Sequence, residues 1–108
     1  GYVEYLKEIG EEKGVGVYAY GHVGDGGLHA YFCSDQSRDA FEPVMAELAE
    51  LAYAKCRAVG GAVSSEHGIG YAKKAFLRAS AGEAGYALMG RIKRAFDPKG
   101  ILNPGKVV

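Results

Sequence analysis

Apolar residues recur along the chain with two different spacings, and each spacing predicts a different kind of element. The runs VGVYAY and LHAYFC, at 15–20 and 28–33, are rich in β-branched and aromatic residues and predict two strands. The pattern leaves open whether these strands pair directly. Four apolar residues at helical spacing predict a first helix that begins at or before residue 1 and ends near Gly14: Tyr2, Tyr5, Leu6 and Ile9.

The remainder of the chain is predicted to be mainly helical. A long helix ends near 59–61 and contains Pro43, which is expected in its first turn, where a missing N–H is tolerated. A short extended piece at 62–65 comes next. A short helix over 71–79 and a longer one from about Gly82 follow, and the turn at 97–100 ends the second of them. The buried face of that last helix is predicted to carry Met89, Ile92 and Phe96.

This order of elements predicts an α+β fold. We expect a small, mainly antiparallel sheet with helices packed on one face, as in a fragment of a ferredoxin-like fold. The chain has 108 residues and is 48% hydrophobic, which suits a single domain over 1–108.

Composition excludes several classes of function. Lysine plus arginine and aspartate plus glutamate both number 13, so no global basic field is available to bind a nucleic acid. No apolar run approaches the roughly 20 residues that span a bilayer, and the N-terminal residues do not resemble a signal peptide. Cys33 and Cys56 are not spaced as a zinc or redox motif, so we expect packed, reduced thiols in a soluble, cytoplasmic protein.

The three histidines of the chain all lie within glycine-rich motifs, GHVGDGGLH and SSEHGIG. A glycine turn between His22 and His29 would allow both imidazoles to approach one divalent ion, and Glu66 is the candidate carboxylate that completes the set. On spacing alone, an ordinary loop is an equally good interpretation. In that loop, positive φ angles would be expected at Gly24, Gly26 and Gly27.

Glu66 and His67 are neighbours in a segment that is predicted to be extended. Adjacent side chains of an extended segment point to opposite faces, so the two residues are expected to have different roles. His67 would then face a substrate as a general base. The alternative is an exposed Glu–His pair beside a turn, and the pair alone favours this alternative.

Two further patterns carry no functional assignment. Gly68 and Gly70 precede a predicted helix, but the third glycine and the downstream acid of a dinucleotide motif are absent. VGDGG likewise lacks the lysine and hydroxyl residue of a phosphate-binding loop. The basic residues of the last two helices are interpreted as their solvated sides.

Three motifs in the same order resemble the C-terminal domain of FAD-linked oxidases of the glycolate oxidase subunit, D-lactate dehydrogenase and D-2-hydroxyglutarate dehydrogenase type. They are GHVGDGGLH at 21–29, SSEHGIGYAKKAFL at 64–77 and IKRAFDPKGILNPGK at 92–106. The resemblance implies that His22, His29 and Glu66 bind a divalent metal (Zn, Mn or Fe). It also implies that His67 is the catalytic base and that Asn103 lies beside the flavin.

The chain departs from this family pattern in two residues and in length. Gly27 stands where the family usually has asparagine, and Tyr31 where many members have another polar residue, so the substrate and the detailed loop geometry stay open. The resemblance covers only the last quarter of an enzyme, and the flavin-binding domain that mainly binds FAD is absent from these 108 residues. The chain by itself is therefore expected to be inactive.

The predicted function is the C-terminal fragment of an FAD-dependent dehydrogenase or oxidase of small 2-hydroxy acids, of the glycolate or D-lactate type. The expected partners are that substrate and either the missing flavin domain or a second copy, through an exposed apolar face. A peripheral membrane location of the parent enzyme is left open. The alternative is a stand-alone metal-binding or interaction module without redox activity.

Overall fold

The computed structural model describes all residues from Gly1 to Val108. The chain divides into two compact units, residues 1–61 and 62–108. Because such units can be parts of one domain, the single domain over 1–108 stays a prediction. The elements, in chain order, are α1 (Tyr2–Glu12), β1 (Gly16–His22), a 3-10 turn (Val23–Asp25), β2 (Gly27–Cys33), α2 (Arg38–Ala58) and α3 (Lys74–Phe96).

The first unit is built around a β-hairpin. β1 and β2 pair directly and antiparallel, with Val17 opposite Phe32, which answers the question that the sequence left open. One face of the hairpin packs on α1 and α2 through these two side chains. The α+β class, with helices on one face of a small antiparallel sheet, is therefore confirmed, and the order α1-β1-β2-α2 matches the middle of a ferredoxin-like βαββαβ unit.

The core of the first unit lies between α1, α2 and the hairpin. Leu6 and Leu48 are its most buried large side chains, 1% and 0% exposed, and Ile9, Val15 and Ala52 surround them. At its edge the Tyr2 hydroxyl donates a hydrogen bond to the Ala52 carbonyl at 2.8 Å. Burial of the phenol raises the pKa of Tyr2 to about 12.

The position of Pro43 within α2 corrects a prediction. α2 begins at Arg38, and the Phe41 N–H donates to the Ser37 carbonyl at 3.0 Å, so Pro43 lies beyond the first turn. The helix starts earlier than its apolar face indicates because its first residues are polar. Since proline has no N–H, the Asp39 carbonyl lacks its usual i to i+4 donor.

The second unit contains α3 and irregular segments, without any strand at 62–65. Gly82 interrupts α3 with φ 70 and ψ 166, so the two successive helices expected from the sequence are confirmed. The predicted buried face is wrong in part, because Met89 is half-buried whereas Ile92 and Phe96 are 53% and 83% exposed. No sheet is present in this unit to cover them. None of the helices has the combination of length and hydropathy that a membrane span requires.

Candidate functional site

The two histidines of the hairpin lie on the same face of the sheet. Cross-strand partners share a face and side chains alternate along a strand. In the observed register Tyr20 is opposite His29 and His22 is opposite Gly27, so His22 and His29 are diagonal neighbours. We call this surface the outer face, because it is opposite to the face that packs on the helices. It consists of Gly16, Tyr18, Tyr20, His22, Gly27, His29, Tyr31 and Cys33.

The connection between the strands depends on two glycines in different ways. Gly26 follows the 3-10 turn with φ 70, a conformation that glycine adopts without strain. Gly24 and Gly27 do not have positive φ. The positive φ expected at three glycines of the loop is therefore confirmed only for Gly26. At Gly21 the strands approach so closely that a Cβ atom would lie 2.1 Å from the Gly27 carbonyl oxygen. A side chain at residue 21 is therefore incompatible with this pairing.

An aromatic ladder lies beside the histidines on the outer face. The Tyr20 and His29 rings stack with centroids 5.2 Å apart and an interplanar angle of 30°. The Tyr20 and Tyr31 rings stack at 5.6 Å, and their hydroxyl oxygens are hydrogen-bonded at 3.0 Å. Neither tyrosine was singled out from the sequence as a partner of the histidines. On each strand a tyrosine lies two residues from a histidine, which places both on the same face. This spacing could have indicated the contact, but only if the strands were already known to pair.

Glu66 and His67 lie together in the second unit. The backbone bends at 65–67, and the Glu66 Oε2 and His67 Nε2 atoms are 3.7 Å apart. The expectation that the two side chains point to opposite faces is wrong, because it assumed an extended backbone. Both side chains are substantially exposed, 46% for Glu66 and 68% for His67, so their attraction contributes little to stability.

Asn103 belongs to a turn that is fixed by a buried carboxylate. The Asp97 oxygens accept hydrogen bonds from the backbone N–H groups of Ile101 and Leu102, both at 3.0 Å, and form an ion pair with Lys93. The hydrogen bond from Lys93, followed by those from the backbone, lowers the pKa of Asp97. Asn103 follows with φ 46, a left-handed conformation that asparagine tolerates better than most residues.

The C-terminal segment lies against the loop that follows Glu66 and His67. The Val107 N–H donates to the Gly70 carbonyl at 2.8 Å, and Lys74 Nζ donates to the Gly105 carbonyl at 3.2 Å. The sequence motifs that contain EHGIG and LNPGK are thus joined within one unit. No signal in the sequence indicated this contact.

Charge is unevenly distributed between the two units. Residues 1–61 contain five Lys/Arg and ten Asp/Glu, whereas residues 62–108 contain eight Lys/Arg and three Asp/Glu. The overall neutrality of the chain hides this division. The unit that carries His67 therefore has an excess of positive charge, which attracts anions.

The outer face carries two imidazole side chains. Imidazole is the nitrogen ligand that zinc, iron and related ions prefer in proteins. The strand register makes His22 and His29 diagonal neighbours on this face, so two imidazoles lie in the same part of the hairpin. His22 and His29 are therefore the residues of the first unit that could bind such an ion.

The fold is that of a small α+β domain whose hairpin carries two histidines on one face. The family model for the C-terminal domain of FAD linked oxidases matches residues 1–107. The chain therefore belongs to the family of FAD linked oxidases, as their C-terminal domain.

Curated relatives support the same assignment. The chain is 40% identical over 107 residues to a D-lactate dehydrogenase of Anaerostipes hadrus, covering 98% of this chain and 22% of that protein. It is 35% identical over 106 residues to the glycolate oxidase subunit GlcD of Bacillus subtilis, covering 97% and 22%. A mitochondrial D-2-hydroxyglutarate dehydrogenase of Danio rerio is 42% identical over 92 residues, covering 85% and 17%. The chain thus spans about a fifth of the length of these relatives.

Proposed function

We propose that this chain is the C-terminal part of an FAD-dependent dehydrogenase or oxidase of small 2-hydroxy acids, and that it contributes a divalent-metal site and the catalytic base. The observation that carries the proposal is the common face of His22 and His29 on a hairpin whose pairing requires Gly21. The names of the relatives, which include D-lactate dehydrogenase and glycolate oxidase, support this substrate class.

In the proposed ligand set, His22 and His29 bind the metal with Glu66. Asn103 is proposed to lie at the flavin, in a turn that Asp97 fixes by two backbone hydrogen bonds. When bound, FAD would accept a hydride and the metal would polarise oxygens of the substrate. The positive excess of the second unit is appropriate for a substrate that carries a carboxylate.

His67 is proposed to take the proton of the substrate hydroxyl at a ring nitrogen. Its side chain is 68% exposed, so a ligand can reach it. The Glu66 and His67 side chains lie together, so their orientation does not support different roles for the two residues. The division between ligand and base rests on the family motif alone.

The rest of the enzyme is proposed to cover apolar residues that the second unit leaves exposed. Leu88, Ile92 and Phe96 recur every four residues along α3, and Ile101 and Leu102 follow the turn after it. An apolar stripe of this kind is typical of a surface that contacts another domain or another copy. The flavin domain is the proposed partner.

The test uses the full-length protein that contains this chain, with its bound flavin. We expect D-lactate or glycolate to reduce the flavin anaerobically, and His67→Gln to slow that reduction by about 100-fold or more, as for loss of a general base. Glu83→Gln serves as the control, because Glu83 is an exposed residue paired only with Arg78 in the same unit. Equal reduction rates in wild type and His67→Gln would contradict the role of His67.

The same experiment distinguishes the alternative function. A stand-alone metal-binding module would bind metal but would acquire neither a flavin nor the ability to react with a hydroxy acid. A full-length protein that purifies without flavin and cannot be reconstituted with FAD would therefore favour the module.

A further inference from the structure

Tyr20 occupies the centre of the outer face. Its cross-strand partner is His29, and His22 lies two residues further along the same strand. Side chains at positions i and i+2 of a strand project on the same side. Tyr20 is therefore adjacent to both histidines that are proposed to bind the metal.

The Tyr20 side chain makes one contact through the face of its ring and another through its hydroxyl. Its face stacks on the His29 imidazole, with centroids 5.2 Å apart. Its hydroxyl is hydrogen-bonded to the Tyr31 hydroxyl at 3.0 Å, and the two phenol rings stack with an interplanar angle of only 13°. A ring that is fixed in this way restricts the rotation of the imidazole that lies against it.

We propose that Tyr20 is a positioning residue that holds the His29 imidazole in the orientation in which it binds a divalent cation together with His22. This inference rests on the proposed metal site. A ligand that is ordered before the ion arrives loses less conformational entropy on binding. Residues that orient metal ligands typically change the affinity by about 10-fold or more when they are removed.

The affinity for Zn²⁺ alone, measured by calorimetry on the 108-residue chain, tests the proposal. We expect Tyr20→Leu to weaken binding about 10-fold, because the ring and the hydroxyl are both lost. Tyr20→Phe keeps the stack on His29 and is expected to weaken binding only about 2-fold. Tyr31→Phe removes the same hydrogen bond from the other side and should match Tyr20→Phe.

Tyr18→Leu is the matched control. Tyr18 lies on the same outer face and is 66% exposed, but its cross-strand partner is Tyr31 and not His29. Its replacement removes a tyrosine of the same strand and the same face. We expect Tyr18→Leu to bind Zn²⁺ like the wild type.

A second readout reports the stack itself and does not depend on metal. In the metal-free chain, the ring current of Tyr20 should shift the imidazole proton resonances of His29, and Tyr20→Leu should remove that shift while Tyr20→Phe keeps it. A general loss of folding would instead alter the amide resonances of the whole hairpin. If Tyr20→Leu does not fold, the comparison of Tyr20→Phe and Tyr31→Phe with wild type decides the outcome.

The possible results separate the two proposals. Wild-type binding with equal Zn²⁺ affinity in Tyr20→Leu would overturn the role of Tyr20 and leave the metal site intact. Where Tyr20→Leu does not fold, equal Zn²⁺ affinity in wild type, Tyr20→Phe and Tyr31→Phe would do the same. Absence of Zn²⁺ binding by the wild type would overturn the metal site, and the role of Tyr20 with it.

Discussion

Replacement of Gly21 by alanine should destabilise the hairpin that carries both histidines. An added Cβ atom would lie 2.1 Å from the Gly27 carbonyl oxygen and 3.0 Å from both the Gly27 carbonyl carbon and Leu28 Cα. All three atoms belong to the backbone of β2, so no side-chain rotation can relieve the overlap. The strands must separate by about 1 Å to restore an ordinary contact distance.

The magnitude follows from two contributions. Forcing an extra methyl group into a tightly packed position costs about 1–3 kcal/mol. Separation of the strands also weakens one or two ladder hydrogen bonds, each with a net value of about 1 kcal/mol. We therefore expect Gly21→Ala to reduce the free energy of unfolding by about 2–5 kcal/mol, a large part of the stability of a chain of this size.

Urea unfolding followed by far-UV circular dichroism measures this loss. Gly24→Ala is the matched control, because Gly24 has an ordinary φ angle and open space where its Cβ would lie. We expect the control to change the free energy of unfolding by no more than about 0.5 kcal/mol. Equal urea midpoints for the Gly21→Ala and Gly24→Ala variants would refute the close strand approach.

Three further outcomes are expected. Asp97→Asn should destabilise the chain at pH 7, and its difference from wild type should shrink below about pH 4, because the stability that comes from the lowered pKa of Asp97 is lost as the carboxylate becomes protonated. Urea midpoints measured as a function of pH test this, and the control Glu83→Gln should have little effect. The raised pKa of Tyr2 contributes stability below about pH 10 that is lost as pH rises towards 12, so wild type should lose its stability advantage over Tyr2→Phe across that interval. A difference in stability that stays constant from about pH 10 to about pH 12 would contradict this prediction. Phe96→Ser should reduce self-association of the isolated chain in sedimentation, because Phe96 is an apolar residue that is 83% exposed. A strictly monomeric wild type at high concentration would contradict self-association through this surface.

Local periodicity was sufficient to predict the helices and strands of the first unit. Tyr2, Leu6 and Ile9 mark the buried side of α1, and the strand runs are correct to within two residues. The common face of His22 and His29 was not predictable in the same way. It depends on strand register, and a slip of one residue between the strands would change which side chains lie opposite each other.

Features of the second unit depend on interactions that a linear pattern does not contain. The bend that brings Glu66 and His67 together replaces an extended segment without a clear local cause in the sequence. Ile92 and Phe96 have helical spacing, but spacing identifies an apolar face and not the surface that covers it. The charge division between the units was present in the sequence but was hidden by the equal totals.

Metal content is the most direct test of the central claim that His22 and His29 bind one divalent ion. The purified 108-residue chain, loaded with Zn²⁺ and freed of excess, should retain about one ion per molecule. His22→Ala and His29→Ala should each lose that ion, whereas His67→Ala should retain it, because His67 is assigned as the base and not as a ligand. Equal zinc content in the wild type, His22→Ala and His29→Ala would contradict the account.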